Sequence, residues 1–392
     1  MAEEACLKRK ASTDIEDLRA HHPGTAAEGI FVQSSSEQWR QYTLKDLDEF
    51  YRRSKFGCMN DVKCYHVEYD SDCTHNCSFC YRLGYVRPIK PSKLTESVEE
   101  PEKIRDTAKA LAQKNYEKRL DGKGDECPGE VHNCISTDAF QHKSIVQLTA
   151  RTTTRALLEN GSLVSFVSKG VPYDDDGWLS WTEIFVRFPR LIFWQTTCAS
   201  MDEKIQAKLE PGAPPPSLRM QWLTSVVNAG VGHVSGRINP LIPDLNDSPA
   251  QVTAAIEAYA KIFNAAPVSV EADGTKSRNF RIAISYVYGT EVICDNIWKA
   301  TKYNLWPYLE KTPVALEGGS PKFLVDKVIR RKTYNFAIDL GKKHGIDVQI
   351  CGCDNKDLPE FAGHHCGISA RSGWPDVPLM DAKELRKYAA SR

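Results

Sequence analysis

The sequence predicts an α/β protein organised as a partial (β/α)6 barrel. Six strand-like stretches alternate with helical ones between residues 62 and 290. The segments between them are long enough to hold helices, which makes the strands parallel. A cysteine-rich loop directly follows the first strand, at the strand ends where barrel active sites lie.

Residues 1–60 are expected to form a partly disordered N-terminal extension. Its first 40 residues lack apolar periodicity and carry the run Ser34-Ser35-Ser36. The barrel is expected over residues 61–300. VKCYHVEY (62–69) has the β-branched and aromatic content of a strand. Residues 101–120 have helical spacing, acidic early and basic late, as the helix dipole prefers. VHNCIST (131–137) is strand-like, and 144–161 is a helix with an Asn160-Gly161 stop. SLVSFVS (162–168) is a strand, the Trp-rich 178–188 stretch a helix, and RLIFWQTT (190–197) a strand. A helix near 215–229 leads to the strand HVSGRIN (233–239), and the helix 250–264 to the strand RIAISYVYG (281–289). Residues 301–392 are expected as a C-terminal appendage, with a helix (321–344), a strand (346–350) and a second Cys/His group.

The chain has 51 basic and 51 acidic residues, so no global field draws it to nucleic acid or anionic membrane. No window approaches the roughly 20 apolar residues of a membrane span. The polar start lacks an apolar signal-peptide core. With 13 cysteines, these features predict a cytoplasmic, reduced setting in which clustered thiols bind metal rather than form disulfides.

Asp72-Cys73-Thr74-His75-Asn76-Cys77-Ser78-Phe79-Cys80-Tyr81 has C-x3-C-x2-C spacing. Three thiolates can wrap one cuboidal iron–sulfur cluster and leave one iron open to a ligand. The alternative is zinc, whose fourth ligand would be His75 or a distant residue. The motif and its place after the first strand resemble the radical SAM superfamily. That resemblance implies a [4Fe–4S] cluster on Cys73, Cys77 and Cys80, with S-adenosylmethionine (SAM) on the open iron. It further implies reductive cleavage to a 5′-deoxyadenosyl radical, an electron donor of reductase, flavodoxin or ferredoxin type, and Phe79 as the aromatic that shields the cluster.

Three further stretches are similar to the spore photoproduct lyase-like branch: Cys134-Ile-Ser-Thr-Asp138 with SFVSK169G; Thr197–Asp202 leading to LEPGAPPPSLR219; and Arg237-Ile-Asn-Pro240-Leu-Ile-Pro243-Asp-Leu-Asn-Asp. The resemblance implies that Lys169 pairs with the SAM carboxylate and that Ser136 and Thr197 hydrogen-bond its ribose or methionyl part. Arg237 would contact the carboxylate or ribose, with Tyr81 also at the cofactor. Cys134 corresponds to a hydrogen-atom donor of the lyases, or is a buried structural thiol. Glu210 and Arg219 read as a structural ion pair bracketing the proline-rich turn.

Cys351-Gly-Cys353 and His364-His365-Cys366 form a second candidate metal site, for an auxiliary iron–sulfur cluster or zinc, with Gly352 permitting the turn. Cys6, Cys58, Cys64, Cys127, Cys198 and Cys294 have no partner spacing. The expected substrate is a small molecule, nucleotide or nucleobase. The alternatives are repair of a DNA lesion and a non-catalytic, metal-stabilised binding protein. The basic run Lys327–Lys332 could meet phosphate or be a solvated helix face.

Overall fold

The computed structural model describes residues 44–55, 63–84, 91–94, 101–120, 130–268, 278–314, 321–352, 355–366 and 387–392. The expected disordered extension therefore lies mostly outside the described residues, as do Cys6, Cys58, Cys127 and Cys353. Helix α1 (Leu44–Phe50) and strand β1 (Arg52–Lys55) open the described chain. Then come β2 (Lys63–Val67), α2 (Pro101–Leu120), β3 (Glu130–Asn133), α3 (Ser144–Glu159), β4 (Leu163–Ser168) and α4 (Asp175–Arg187). They are followed by β5 (Ile192–Thr197), α5 (Glu203–Leu209), α6 (Pro216–Asn228), β6 (His233–Leu241), α7 (Pro249–Ala265) and β7 (Asn279–Tyr286). A short hairpin, β8 (Tyr288–Gly289) with β9 (Phe323–Leu324), brackets α8 (Glu291–Thr301), and α9 (Lys327–Lys343) leads to β10 (Asp347–Ile350).

The main sheet has the order β1-β2-β3-β4-β5-β6-β7-β10, and only β1 runs antiparallel. Seven parallel strands thus form an open sheet, the expected partial barrel. The strand expected within the C-terminal appendage is β10, and it extends this sheet beyond β7. The expected strand 131–137 ends at Asn133, because Cys134 turns out of the ladder with a φ of 58°. Helices α1, α5 and α8 have no counterpart in the sequence reading. Two of them are only seven residues long, too short for a clear apolar period.

The strand registers sort the side chains into two faces. Phe166, Trp194 and Gly236 turn toward the helices, where Phe140, Trp181, Phe185 and Trp222 pack around them in tilted and edge-on pairs. Gly236 is required there, since a Cβ would enter the Tyr259 ring. The opposite face is polar: Ser165 on β4, Gln195 on β5, His233, Ser235 and Arg237 on β6, and Arg281 on β7. A polar inner face behind an apolar outer one suits a barrel that receives a ligand. Part of it is covered by the chain itself. The Cys366 carbonyl accepts from the Gln195 amide, and the His365 N–H donates to Gln349 Oε1 at 3.1 Å.

Candidate active site

The cysteine loop leaves β2 at Val67 and is tied down on three sides. At its base the buried Glu68 carboxylate accepts from the N–H groups of Ile135, Ser136 and Thr137 at 2.8, 2.6 and 3.2 Å. It also takes the Thr137 hydroxyl at 2.8 Å, so the first strand end grips the turn after β3. Burial raises the Glu68 pKa, against the pull of those donors. Gln141 holds the loop's middle, accepting from Thr74 N at 2.8 Å and donating to the Asp72 carbonyl at 3.1 Å. The third side is the proline-rich turn. Ser78 N donates to the Leu209 carbonyl at 2.8 Å and Gly212 N to the His75 carbonyl at 3.0 Å. A Cβ on Gly212 would run into the Thr74 carbonyl, so this close approach requires glycine.

Asp138 is the hub. Its Oδ1 accepts from Phe140 N and Ser168 Oγ, both at 2.8 Å. Its Oδ2 accepts from Lys169 N at 2.8 Å and meets His75 Nε2 at 3.0 Å. Burial opposes the Asp138 charge, but the His75 ring and the N–H donors outweigh it and bring the pKa to about 2. One carboxylate thereby joins the turn after β3, the end of β4 and the cysteine loop.

The other nitrogen of His75, Nδ1, faces the Gly212 carbonyl at 3.3 Å. Both ring nitrogens are engaged with oxygens, so His75 serves the loop's shape and is not presented as a fourth ligand. Among the described residues, no three His, Cys, Asp or Glu side chains converge as ligands of a single ion. A cuboidal cluster makes a different demand, because its three thiolates bind three separate irons. The donor set fits such a cluster: Cys73, Cys77 and Cys80 share one braced loop, each partly accessible, with Phe79 buried beside them. Burial pushes the Cys73 thiol up to about 12 and raises Cys77 as well, so metal binding must expel their protons.

Lys169 extends from the end of β4 to this loop. Its Nζ lies 5.3 Å from the Phe79 ring centroid and 3.8 Å from Glu210 Oε1. Burial alone would lower its pKa, but Cys77 and Glu210 outweigh that and raise it. Glu210 and Arg219 do form the expected ion pair, at 2.5 Å and fully buried. Arg219 also donates to the Pro214 carbonyl at 2.7 Å and to that of Thr197 at 3.0 Å, holding the end of β5.

The other residues singled out in the sequence lie as follows. Ser136 sits in the Glu68-held turn, and the Tyr81 hydroxyl donates to the neighbouring Ile135 carbonyl. Thr197 and Arg237 are register partners on β5 and β6. Cys134 is buried in the core, its thiol pKa well above normal through burial and the Glu68 charge. Cys351 and Cys366 pack together against Ala283 at the β7–β10 side, with Arg237 Nη2 at 3.9 Å from Cys351 Sγ. His364 is drawn off, its Nδ1 accepting from Ile350 N at 3.2 Å, and His365 is held through its backbone. Glu68 was missed by sequence reasoning, and Gln141 and Gly212 fell within the motif-bearing stretches without a role assigned to them. Asp138 was visible only as part of a Thr-Asp strand end, without its role.

Comparison with solved structures decides the architecture. A spore photoproduct lyase mutant with dinucleoside spore photoproduct superposes with a TM-score of 0.52 at 12% identity, covering 77% of this chain and 78% of that one. The chain has the fold of spore photoproduct lyase. A tyrosine-to-phenylalanine mutant of spore photoproduct lyase matches with a TM-score of 0.52 and 10% identity over 81% of this chain and 88% of its own. No family model and no curated protein matches the sequence.

Proposed function

We propose that this chain is a radical SAM enzyme that holds a [4Fe–4S] cluster on Cys73, Cys77 and Cys80 and modifies a small-molecule, nucleotide or nucleobase substrate. One observation carries the reading. Three cysteines lie on the loop after the first parallel strand of a spore photoproduct lyase fold, with His75 turned away and Lys169 turned toward them. When bound, the cluster supplies the electron that cleaves SAM to a 5′-deoxyadenosyl radical. The chain's own residues position and shield. Asp138, Gln141 and Gly212 hold the loop in shape, Phe79 covers its inner side, and Lys169 offers an ammonium to the SAM carboxylate. Ser136 in the turn after β3, Tyr81 just past the cysteine loop, Thr197 at the end of β5 and Arg237 beside it on β6 are the residues on which the ribose and methionyl parts would rest. The polar inner face orients substrate, and the covering segment at residues 361–366 keeps water from the reacting centre.

Cys134 stands as the candidate hydrogen-atom donor, and the Cys351–Cys366 pair as a candidate auxiliary metal site. An external reductase, flavodoxin or ferredoxin would supply the electrons. Action on a DNA photolesion has less support than on a smaller substrate. In the basic run 327–332, Arg330 is buried against Asp357 and Asn355, which commits it inside the fold, while Arg331 pairs with Glu360 at the surface. Anaerobically purified protein should contain iron and sulfide and release 5′-deoxyadenosine from SAM with dithionite. Cys80→Ala should abolish that release and keep the far-UV circular dichroism. Protein that carries zinc alone and leaves SAM intact would establish the binding-protein alternative.

A further inference from the structure

We propose that Glu210 is a positioning residue, one that fixes the Lys169 ammonium at the height of the cysteine loop. The inference rests on the radical SAM reading and adds a residue to it. Glu210 is buried at the start of the proline-rich turn, and its two carboxylate oxygens are used unequally. Oε2 is locked to Arg219 Nη2 at 2.5 Å. Arg219 cannot follow a moving partner, because two backbone carbonyls, of Pro214 and Thr197, hold the rest of its guanidinium. The second oxygen, Oε1, is buried and accepts no hydrogen bond from the described residues. The cation in front of it is Lys169 Nζ at 3.8 Å, ion-pair distance without a hydrogen bond.

That geometry restrains the lysine without consuming it. An ammonium has three donors, and none is spent on Glu210. The face of Phe79 restrains it from another side. A lysine stem is flexible and loses rotamer entropy when it binds an anion; a lysine already held loses less. Arg219, Glu210 and Lys169 together carry one net positive charge, and the geometry presents it at Lys169, beside the loop of Cys77 and Cys80. Glu210 thereby acts on an incoming carboxylate through Lys169.

The test is SAM affinity, by anaerobic equilibrium dialysis, of wild type, Glu210→Gln, Lys169→Met and the double variant, with iron measured in each. Glu210→Gln should weaken SAM binding about tenfold with iron unchanged, while adding nothing in the Lys169→Met background. Glu210→Asp keeps Arg219 paired, should weaken binding less, and is the readout if the glutamine variant loses its fold. Wild-type affinity in the Glu210 variants would overturn the inference, as would equal losses in both backgrounds. Wild-type protein that takes up no iron or binds no SAM would instead refute the radical SAM reading itself.

Discussion

At the scale of single residues, the cysteine loop is braced by a buried carboxylate whose two oxygens are both engaged. Asp138 receives five donors from three separate parts of the chain. Its pKa of about 2 lies below the ordinary 3.8, so its contribution is complete above about pH 4 and disappears as pH falls toward 2. Asp138→Asn leaves His75 and the strand-end N–H groups short of an acceptor. It should cost about 3 kcal/mol in urea unfolding and lower iron incorporation. The C-x3-C-x2-C spacing showed in sequence that three thiols gather on one loop, because residues this close in the chain stay together whatever the fold. It did not reveal Glu68, Asp138 or Gln141 as braces. Each holds a partner more than 60 residues away, and an isolated acid or amide in a sequence carries no sign of which N–H groups it will meet.

At the scale of elements, the loop's shape is imposed from outside by the turn after α5. Gly212→Ala would drive a methyl into the Thr74 carbonyl. Overpacking of this kind costs about 1–3 kcal/mol, read as a lower melting temperature, and iron uptake should fall with it. The substitution Cys366→Ser addresses the second thiol pair. If Cys351 and Cys366 hold metal, the purified protein should lose that metal while keeping the cluster on Cys73, Cys77 and Cys80; unchanged metal content would remove the second site. Helices with clear apolar stripes were legible in sequence, including α3 with its Asn160-Gly161 stop, where Gly161 takes a φ of 77°. Strand β10 was legible as a strand but not as part of the main sheet, since four residues give no hint of their neighbour.

At the scale of the molecule, the open sheet sets an apolar, helix-covered face against a polar inner one, and this division has a pH signature. His233 lies on the inner face, stacked on Phe193 at 4.3 Å. Burial, with Arg281 and Arg190 nearby, lowers its pKa to about 3 from an ordinary 6.5. The unfolded chain therefore takes up this proton first, and stability declines as pH drops below about 6.5. Between pH 7 and pH 5 the loss from this residue is about 2 kcal/mol, and His233→Gln should remove it, as followed by melting temperature across that range. The parallel β/α order that creates these faces was legible because alternating strands and helices admit few other arrangements. The central claim is that the trio of cysteines leaves one iron open to SAM. Electron paramagnetic resonance of the anaerobic, dithionite-reduced protein tests it directly. A reduced-cluster signal whose g-values shift when SAM is added is the predicted result; a signal that ignores SAM, or no iron signal at all, would contradict the account.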